Sequence, residues 1–391
     1  DRVEFEKNIS LSVKKKVKIE SKWELVKLED VIELISGQSP ESEFYNQEKK
    51  GIPFYQGKTE FGEIYLEEPK YWTEKITKES LKGDVLMTVR APVGPVNINP
   101  FERICIGRGL NAMRVSDKIL NVYLFYYLKS NQEQITGNEG AIFQSISRDQ
   151  VLTLKIPLPP LDIQQKIVSE IEVLEAKEKK AKEEVEKLKF NISSSMVNLK
   201  FKEINLGSIS DFKNGLNYSR NSLGELINIV GVGDFQNRFS PDVASLEKIQ
   251  IDGNLSDDYL LKTNDILVVR SNGSANLVGR FLFIDNLKTK TSFSGFTIRI
   301  RVENENINSK FLCHYLKTDF VRNKIITDSS GSNIKSLNQT LLSNIKIPLP
   351  PLSEQQKIVS EIEKIEEKIK VLETEISEIP KQKEAVLKKY L

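Results

Sequence analysis

Two segments of the chain place apolar residues alternately three and four positions apart, with charged residues between them. This spacing gathers the apolar side chains into one stripe along an α-helix, which is typical of a coiled-coil seam. The alternative interpretation is that each stripe packs against a domain of its own. The seam positions are Ile167, Ile171, Leu174, Val185 and Leu188 in the first segment, and Ile358, Ile362, Ile365, Ile369, Leu372 and Ile376 in the second.

Each helical segment follows a pair of prolines, Pro159-Pro160 or Pro350-Pro351. Proline is not tolerated in a helix interior, so the sequence predicts that each helix begins just after its pair. A side-chain oxygen at the N-cap and a glutamine three residues later would form a capping box. The predicted N-caps and their partners are Asp162 with Gln165 and Ser353 with Gln356.

The stretches that precede the helical segments contain short runs rich in β-branched residues, bounded by Gly, Asp or Asn. Val85–Val89 and Ile266–Val269 are examples, and this pattern predicts β-strands. Short helices are predicted near Val122–Ser130 and Ser309–Thr318. Each of these stretches therefore predicts a twisted β-sheet domain with a few short helices.

The chain contains an internal repeat. Lys155–Glu172 reads KIPLPPLDIQQKIVSEIE, and Lys346–Glu363 differs from it at only two positions. Weaker parallels lie upstream, including GDVLMTVR ending at Arg90 and NDILVVR ending at Arg270. The order is thus a β-rich unit followed by a helical unit, twice. A shared framework with divergent loops is the pattern expected of two modules that do one job on different targets.

Two helices in one chain most simply pair with each other, and antiparallel pairing of a repeated unit gives a pseudo-two-fold molecule. The sequence therefore predicts an α+β fold, with two β-rich domains in pseudo-two-fold arrangement joined by two long antiparallel coiled-coil helices. The predicted boundaries are an N-terminal linker or extension (1–22), the first β-rich domain (23–154), the first helical region (155–201), the second β-rich domain (202–345) and the second helical region (346–391).

Composition limits the possible functions without selecting one. The 391 residues carry a formal net charge of only +2, so a DNA-binding chain of this kind must concentrate its basic residues on one face. Neither of the two cysteines belongs to a CxxC pair, which disfavours a zinc site and suits a reducing cytoplasm. No apolar run approaches membrane-spanning length, so no membrane partner is expected.

The sequence offers no convincing catalytic constellation. The single histidine, His314, lies in an apolar helix-like run, where a packing role is expected. The segment Gly51–Thr59 resembles a phosphate-binding loop, but five residues rather than four separate its glycines. Gly231-Val232-Gly233 lacks the third glycine of a dinucleotide-binding motif. The chain is therefore predicted to be non-catalytic and to hold no metal.

Over nearly its whole length the sequence resembles the DNA specificity subunits of type I restriction–modification systems. The likeness is carried by WELVKLEDVIELISG, GDVLMTVRAPVG, FQSIS, IKSLNQ and the duplicated KIPLPPL–QQKIVSEIE. It implies two target-recognition domains that bind a bipartite site on double-stranded DNA, and a coiled-coil spacer. It also implies two bound methyltransferase (modification) subunits, with restriction subunits in the full complex. S-adenosylmethionine, ATP and Mg²⁺ would then bind to the partner subunits, in a bacterial or archaeal cytoplasm, and this chain would hold no cofactor.

Two alternatives stay open. The stretch Asp1–Lys22 looks like a linker from an upstream segment, so the chain is alternatively the specificity region of a fused, type IIG-like methyltransferase and restriction enzyme. The other alternative is a coiled-coil adaptor that binds only proteins. The divergent polar loops favour DNA recognition over the adaptor, which has no need of them.

Base recognition needs side chains with paired donors and acceptors, chiefly Arg for guanine and Asn or Gln for adenine. Arg90 and Arg270 are predicted to occupy equivalent strand ends, where the alternative role for each is to brace the fold. The candidates in the first domain are Gln56, Lys58, Thr59, Tyr71, Arg90, Arg108, Gln144, Ser145 and Arg148. The candidates in the second are Asn217, Tyr218, Arg220, Arg270, Ser271, Asn272, Ser274, Asn333, Lys335, Ser336 and Asn338.

Overall fold

The structure is a computed structural model that describes residues 21–132, 145–218, 222–236, 238–253, 255–271, 277–328 and 337–391. It divides into two compact units. The first comprises the described residues of Asp1–Lys180 together with Glu375–Leu391, and the second those of Ala181–Thr374. Each unit contains one β-rich domain and a part of each of two long helices.

The first unit follows the predicted pattern of short strands and short helices. Its strands are β1 (Leu25–Lys27), β2 (Ile32–Ser36), β3 (Tyr45–Asn46), β4 (Ile52–Tyr55), β5 (Tyr71–Thr73), β6 (Glu79–Leu81), β7 (Val85–Thr88), β8 (Val96–Ile98), β9 (Arg103–Ile106), β10 (Leu110–Val115) and β11 (Lys155–Pro157). Its short helices are α1 (Asn121–Ser130) and α2 (Arg148–Leu152).

Three sheets organise the first unit. A four-stranded antiparallel sheet has the order β2-β10-β7-β8, and a five-stranded mixed sheet has the order β3-β5-β4-β9-β6. The pair β1–β11 joins the start of the domain to the segment that leads into the long helix. Helix α1 is buried against the four-stranded sheet, and Tyr123, Leu124 and Phe125 belong to its apolar core.

The second unit repeats this framework. Its strands are β12 (Glu203–Asn205), β13 (Ser210–Asn214), β14 (Glu225–Val230), β15 (Glu247–Ile251), β16 (Ile266–Val269), β17 (Phe281–Phe283), β18 (Thr291–Phe293), β19 (Thr297–Val302) and β20 (Lys346–Pro348). Its short helices are α4 (Ser309–Leu316), α5 (Asp319–Asp328) and α6 (Gln339–Ser343). The order β13-β19-β16-β17 matches β2-β10-β7-β8, and β12–β20 matches β1–β11. The remaining sheet differs, since it has three strands in the order β15-β14-β18.

The two long helices are α3 (Leu161–Val197) and α7 (Leu352–Tyr390). In the first unit Lys389 binds Glu170 at 2.7 Å and Lys383 binds Glu175 at 3.2 Å, so the two helices run antiparallel there. The predicted α+β fold, with two β-rich domains and a pair of long antiparallel helices, is confirmed.

The apolar stripes of α3 and α7 pack partly against the β-rich domains. Near the start of each helix the stripe packs against the domain of the same unit, because Ile167 and Ile171 join the first core and Ile362 joins the second. Farther along, Val185 and Leu188 of α3 are also buried. The other positions of the stripes are Leu174, Ile358, Ile365, Leu372 and Ile376, which are half-buried, and Ile369, which is buried.

The predicted N-caps are wrong. The helices begin at Leu161 and Leu352, and the backbone N–H groups of their first turns donate to the carbonyls of Pro160 and Pro351. Asp162 thus lies within the first turn of α3. The second proline of each pair accepts these hydrogen bonds with its carbonyl oxygen. Its lack of an N–H group costs nothing there, because a residue at the start of a helix has no N–H partner to lose.

A buried glutamine in each helix fixes it to the adjacent domain. The side chain of Gln164 accepts a hydrogen bond from Leu120 N at 2.8 Å and donates to Lys118 O and Pro159 O. Gln355 forms the same set of bonds with Asn308 N, Asn306 O and Pro350 O. Both glutamines are fully buried, so they satisfy backbone groups that water cannot reach.

Candidate nucleic-acid interface

A cleft of about 400 Å³ opens on the first β-rich domain. It lies where β4 and β7 end, beside the turn between β9 and β10. The cleft brings together several side chains that the sequence predicted as DNA contacts. Its lining residues are Ser39, Gln56, Gly57, Lys58, Thr59, Thr88, Arg90, Ala91, Pro92, Arg108 and Gly109.

Close backbone packing shapes this cleft. Gly107 N donates to Tyr55 O at 2.8 Å, and Val89 N donates to Gly109 O at 2.9 Å. A Cβ at Gly109 would lie 2.3 Å from the carbonyl oxygen of Gln56, so only glycine permits this approach. The loop after β4 is therefore held against the turn between β9 and β10.

The charge of the cleft favours an anion. Its lining contains three basic side chains, Lys58, Arg90 and Arg108, and no carboxylate. All three are exposed, and in the described part of the chain no acidic group forms an ion pair with any of them. Unpaired guanidinium groups suit a phosphate or the O6/N7 edge of guanine, which accept bidentate hydrogen bonds.

The other candidates of the first domain have different surroundings. Arg148 donates to Leu34 O at 2.7 Å and therefore braces β2. Ser145 forms a β-bridge with Arg90, which places it beside the cleft. Tyr71 lies on β5 with its ring 6.2 Å from that of Tyr45, and it does not line the cleft. Gln144 is outside the described residues.

The predicted equivalence of Arg90 and Arg270 is wrong. Val89 N donates to Gly109 O, and Arg270 N donates to Phe296 O, at corresponding points of the two sheets. By this register Arg270 corresponds to Val89, and Ser271 corresponds to Arg90. The first domain has one extra residue, Val89, between the end of its strand and its arginine. Because successive side chains of an extended chain point to opposite sides, this extra residue turns Arg90 to the side opposite that of Arg270.

The loop that corresponds to Gln56–Thr59 is Gly231–Asp234. In the first domain Tyr55, the last residue of β4, pairs with Ile106, and in the second Val230, the last residue of β14, pairs with Phe293. The two strands therefore end at the same point of the framework, and the loops that follow them are equivalent. Asp234 accepts a hydrogen bond from Gly231 N at 2.8 Å, and burial raises the pKa of its carboxyl above the usual value. The second domain therefore carries a carboxylate where the first domain has the hydroxyl of Thr59.

The structure places the remaining candidates of the second domain as follows. Asn217 and Tyr218 are exposed and follow Leu216, which bridges to Ser294. Asn338 caps α6 by accepting a hydrogen bond from Leu341 N, which is a structural role. The candidates outside the described residues are Arg220, Asn272, Ser274, Asn333, Lys335 and Ser336.

His314 is buried and its ring stacks on Phe239 with centroids 4.2 Å apart. Burial lowers the pKa of His314 to about 3, so the ring is neutral at neutral pH. Within the described ranges, no group of three or more His, Cys, Asp or Glu side chains is arranged to hold a metal ion. None of the helices described combines the length and the apolar character needed to cross a membrane.

The family model for the type I restriction modification DNA specificity domain matches residues 20–187 and again 198–381. The chain therefore belongs to this family, and the two matches coincide with the internal repeat. The resemblance of the sequence to these specificity subunits is confirmed.

Among curated relatives, the chain is 43% identical over 185 residues to the putative type I restriction enzyme MjaX specificity subunit of Methanocaldococcus jannaschii. That match covers 45% of this chain and 42% of the relative. It is 28% identical over 294 residues to the type I restriction enzyme StySPI specificity subunit of Salmonella potsdam, covering 68% of this chain and 62% of that protein. Each match thus spans less than two thirds of the relative.

Two solved structures share the fold. The S subunit of a type I restriction–modification system from M. genitalium matches with a TM-score of 0.52 and 18% identity, covering 96% of this chain and 98% of that one. A chain from a study of complex assembly and conformational transition of the type I R-M system matches with a TM-score of 0.65 and 17% identity. That match covers 95% of this chain and 98% of the other.

Proposed function

We propose that this chain is the DNA sequence-recognition subunit of a type I restriction–modification complex. Each β-rich domain reads one half of a bipartite site on double-stranded DNA. The observation that carries the proposal is the cleft of the first domain, where Lys58, Arg90 and Arg108 converge without an acidic partner among the described residues. Phosphate neutralisation and guanine recognition need this chemistry.

The second domain supports the same function with different residues. It keeps the strand order of the four-stranded sheet and carries Asp234 and Ser271 where the first domain has Thr59 and Arg90. A carboxylate accepts a hydrogen bond from cytosine N4, whereas arginine donates to guanine. Two domains with one framework and different polar groups suit the recognition of two different half-sites.

Catalysis belongs, on this proposal, to other chains. Two methyltransferase subunits dock on this one, and restriction subunits join through them. S-adenosylmethionine, ATP and Mg²⁺ bind to those partners in the cytoplasm, and this chain has no cofactor of its own. The paired helices α3 and α7 act as the spacer between the half-sites.

A salt-dependent binding measurement tests this function. The chain is titrated with duplex DNA at several salt concentrations, and the slope of log K against log salt is compared between variants. Replacing Arg90 or Arg108 with alanine is expected to reduce the slope by about one for each phosphate that the variant no longer neutralises. The control is Arg103→Ala, since Arg103 is in the same domain but is paired with Glu79. No binding, or binding without salt dependence, would contradict DNA recognition and favour the adaptor.

A methylation map tests the role in the complex. Methylated adenines are located in the genome of a host that carries the whole system. We expect a split motif that disappears when the gene for this chain is deleted. The fused-enzyme alternative predicts instead that an upstream segment of the same polypeptide transfers the methyl group, which sequencing of the gene decides.

A further inference from the structure

Phe296 is an exposed aromatic residue on a well-held turn. It lies between β18 and β19, and 60% of its surface is accessible to solvent. Its carbonyl accepts a hydrogen bond from Arg270 N at 2.8 Å, and its N–H donates to the hydroxyl of Ser294 at 3.3 Å. Thr297 donates to Ser294 O at 2.7 Å and closes the turn. The backbone is thus fixed while the ring faces water, so the ring is held at a defined point of the surface and is free to contact a ligand.

The equivalent position in the first domain borders the proposed DNA-binding cleft. Thr297 of β19 pairs with Val269 in the second domain, just as Leu110 of β10 pairs with Thr88 in the first. The residues immediately before Thr297 and Leu110, which are Phe296 and Gly109, therefore occupy the same position. Gly109 lines the cleft and has no room for a side chain, because a Cβ there would meet the carbonyl oxygen of Gln56. The same point of the framework therefore carries no side chain in one domain and an aromatic ring in the other.

The neighbours of Phe296 are of the kind that accompany a base contact. Arg270 is half-buried beneath this turn, and its buried Nε has no hydrogen-bond partner among the described atoms. The amide of Asn217 lies beside the same turn, since a Cβ on Gly295 would lie 2.0 Å from its Oδ1. An exposed amide at Asn217 next to an exposed ring offers an edge contact and an apolar contact within one surface.

We propose that Phe296 makes an apolar contact with the bases of the half-site read by the second domain. The first domain makes no such contact from the equivalent position, because Gly109 has no side chain. This inference rests on the proposed DNA-recognition function and adds a residue that determines specificity in one half-site only. Aromatic side chains contact bases by stacking, by inserting at a base step or by packing on the thymine methyl group.

The test is a selection from a pool of random-sequence duplexes with the full chain, its Phe296→Ala variant and a Phe296→Trp variant. We expect alanine to weaken binding of the selected site by about tenfold to a hundredfold and to relax one or two adjacent positions of a single half-site. The tryptophan variant should keep both the affinity and the sequence preference of the wild-type chain. The control is Leu226→Ala, which removes another exposed apolar side chain of the same domain, on β14, and should change neither.

The outcomes separate the two proposals. If the wild-type chain enriches no sequence, the DNA-recognition function fails. If the wild type enriches a split site and Phe296→Ala selects the same site with the same affinity, only the role of Phe296 is overturned. Relaxed preference in both half-sites would also overturn it, since the ring belongs to one domain. Unchanged melting temperatures of the variants exclude unfolding as the cause.

Discussion

The hydroxyl of Tyr126 donates a 2.6 Å hydrogen bond to the carboxylate of Glu175, which joins α1 to the long helix α3 within the first unit. Lys383 of α7 binds the same carboxylate. At the repeated position of the second unit, His314 Nδ1 lies 4.0 Å from Glu366 Oε1, and its Nε2 has no hydrogen-bond partner among the described atoms. The repeat thus places a hydrogen-bonded tyrosine in one unit and a buried, neutral histidine in the other.

We predict that His314 makes the second unit sensitive to acid. Burial lowers its pKa to about 3, whereas an unfolded histidine titrates near 6.5. Between these values the unfolded state binds the extra proton, so the free energy of unfolding is highest above pH ~6.5 and falls as the pH drops toward 3. The histidine contributes a slope of up to ~1.4 kcal/mol per pH unit in that window.

The matched variant is His314→Tyr, which copies the residue of the first unit. Urea denaturation of both proteins from pH 7.5 to pH 4 should show a smaller decrease in stability for the variant. Burial also raises the pKa of Glu366, which is close to Lys310, Lys317 and Glu363, but that carboxyl is present in both proteins. Identical pH profiles would show that His314 does not cause the effect.

A second prediction concerns the buried glutamines. Gln164→Ala would leave Leu120 N and the carbonyls of Lys118 and Pro159 without their partner. Each buried group left unsatisfied costs about 1–3 kcal/mol, so we expect the free energy of unfolding to fall by roughly 3 kcal/mol or more. Gln355→Ala should have the same effect on the second unit. Chemical denaturation measures both.

The neighbouring glutamines provide the controls for this experiment. Gln165 and Gln356 are exposed, so their replacement by alanine should change stability by no more than about 0.5 kcal/mol. Equal effects at Gln164 and Gln165 would mean that helix formation, rather than the hydrogen bonds to the domain, is what the glutamine supports.

A third prediction is that base recognition is modular. Arg108→Ala should relax the half-site read by the first domain, and Arg270→Ala only the half-site read by the second. A good bidentate contact is worth about 1–3 kcal/mol of discrimination against the wrong base. Methylation maps of hosts carrying each variant measure the change. If either substitution relaxes both half-sites equally, the two domains do not read DNA independently.

The sequence predicted the repeated framework well because the framework occurs twice in one chain. The short motif after each β-rich stretch, and the apolar stripes that follow, indicate two similar domains and two paired helices. The rule that proline is excluded from helix interiors fails at Pro380, because α7 continues through this residue. Tertiary packing overrides the local preference there, since Ile379 beside it is buried.

Details that depend on strand register were beyond the sequence. Arg90 and Arg270 end similar runs of residues, yet one extra residue before Arg90 gives the two side chains different neighbours. The sequence did not single out Asp234 or Phe296, because only the pairing of β14 with β18 and of β16 with β19 shows which residues of the first domain they correspond to. The hydrogen bonds of Gln164 likewise join segments more than forty residues apart, which periodicity does not reveal.

The last prediction concerns the spacer. Helices α3 and α7 have 37 and 39 residues, which at about 1.5 Å per residue gives lengths of roughly 55–60 Å. One heptad inserted in α3 after Leu188 and one in α7 after Glu373 would keep the apolar stripes in register and add about 10 Å. This placement also preserves the ion pairs Lys189–Glu373 and Lys177–Glu375. The unread gap of the DNA site should lengthen by up to about three base pairs while both half-site sequences stay the same.

A methylation map of a host carrying the double insertion measures the gap directly. The control is a two-residue insertion at the same two points, which rotates the following part of each stripe by about 200° to the opposite face and should abolish modification rather than change the spacing. If separate domains read the two half-sites, as proposed, a change in gap without a change in half-site sequence is the specific signature of a helical spacer. An unaltered gap in the heptad variant would mean that the half-site distance is set elsewhere in the complex, and the spacer role of α3 and α7 would be abandoned.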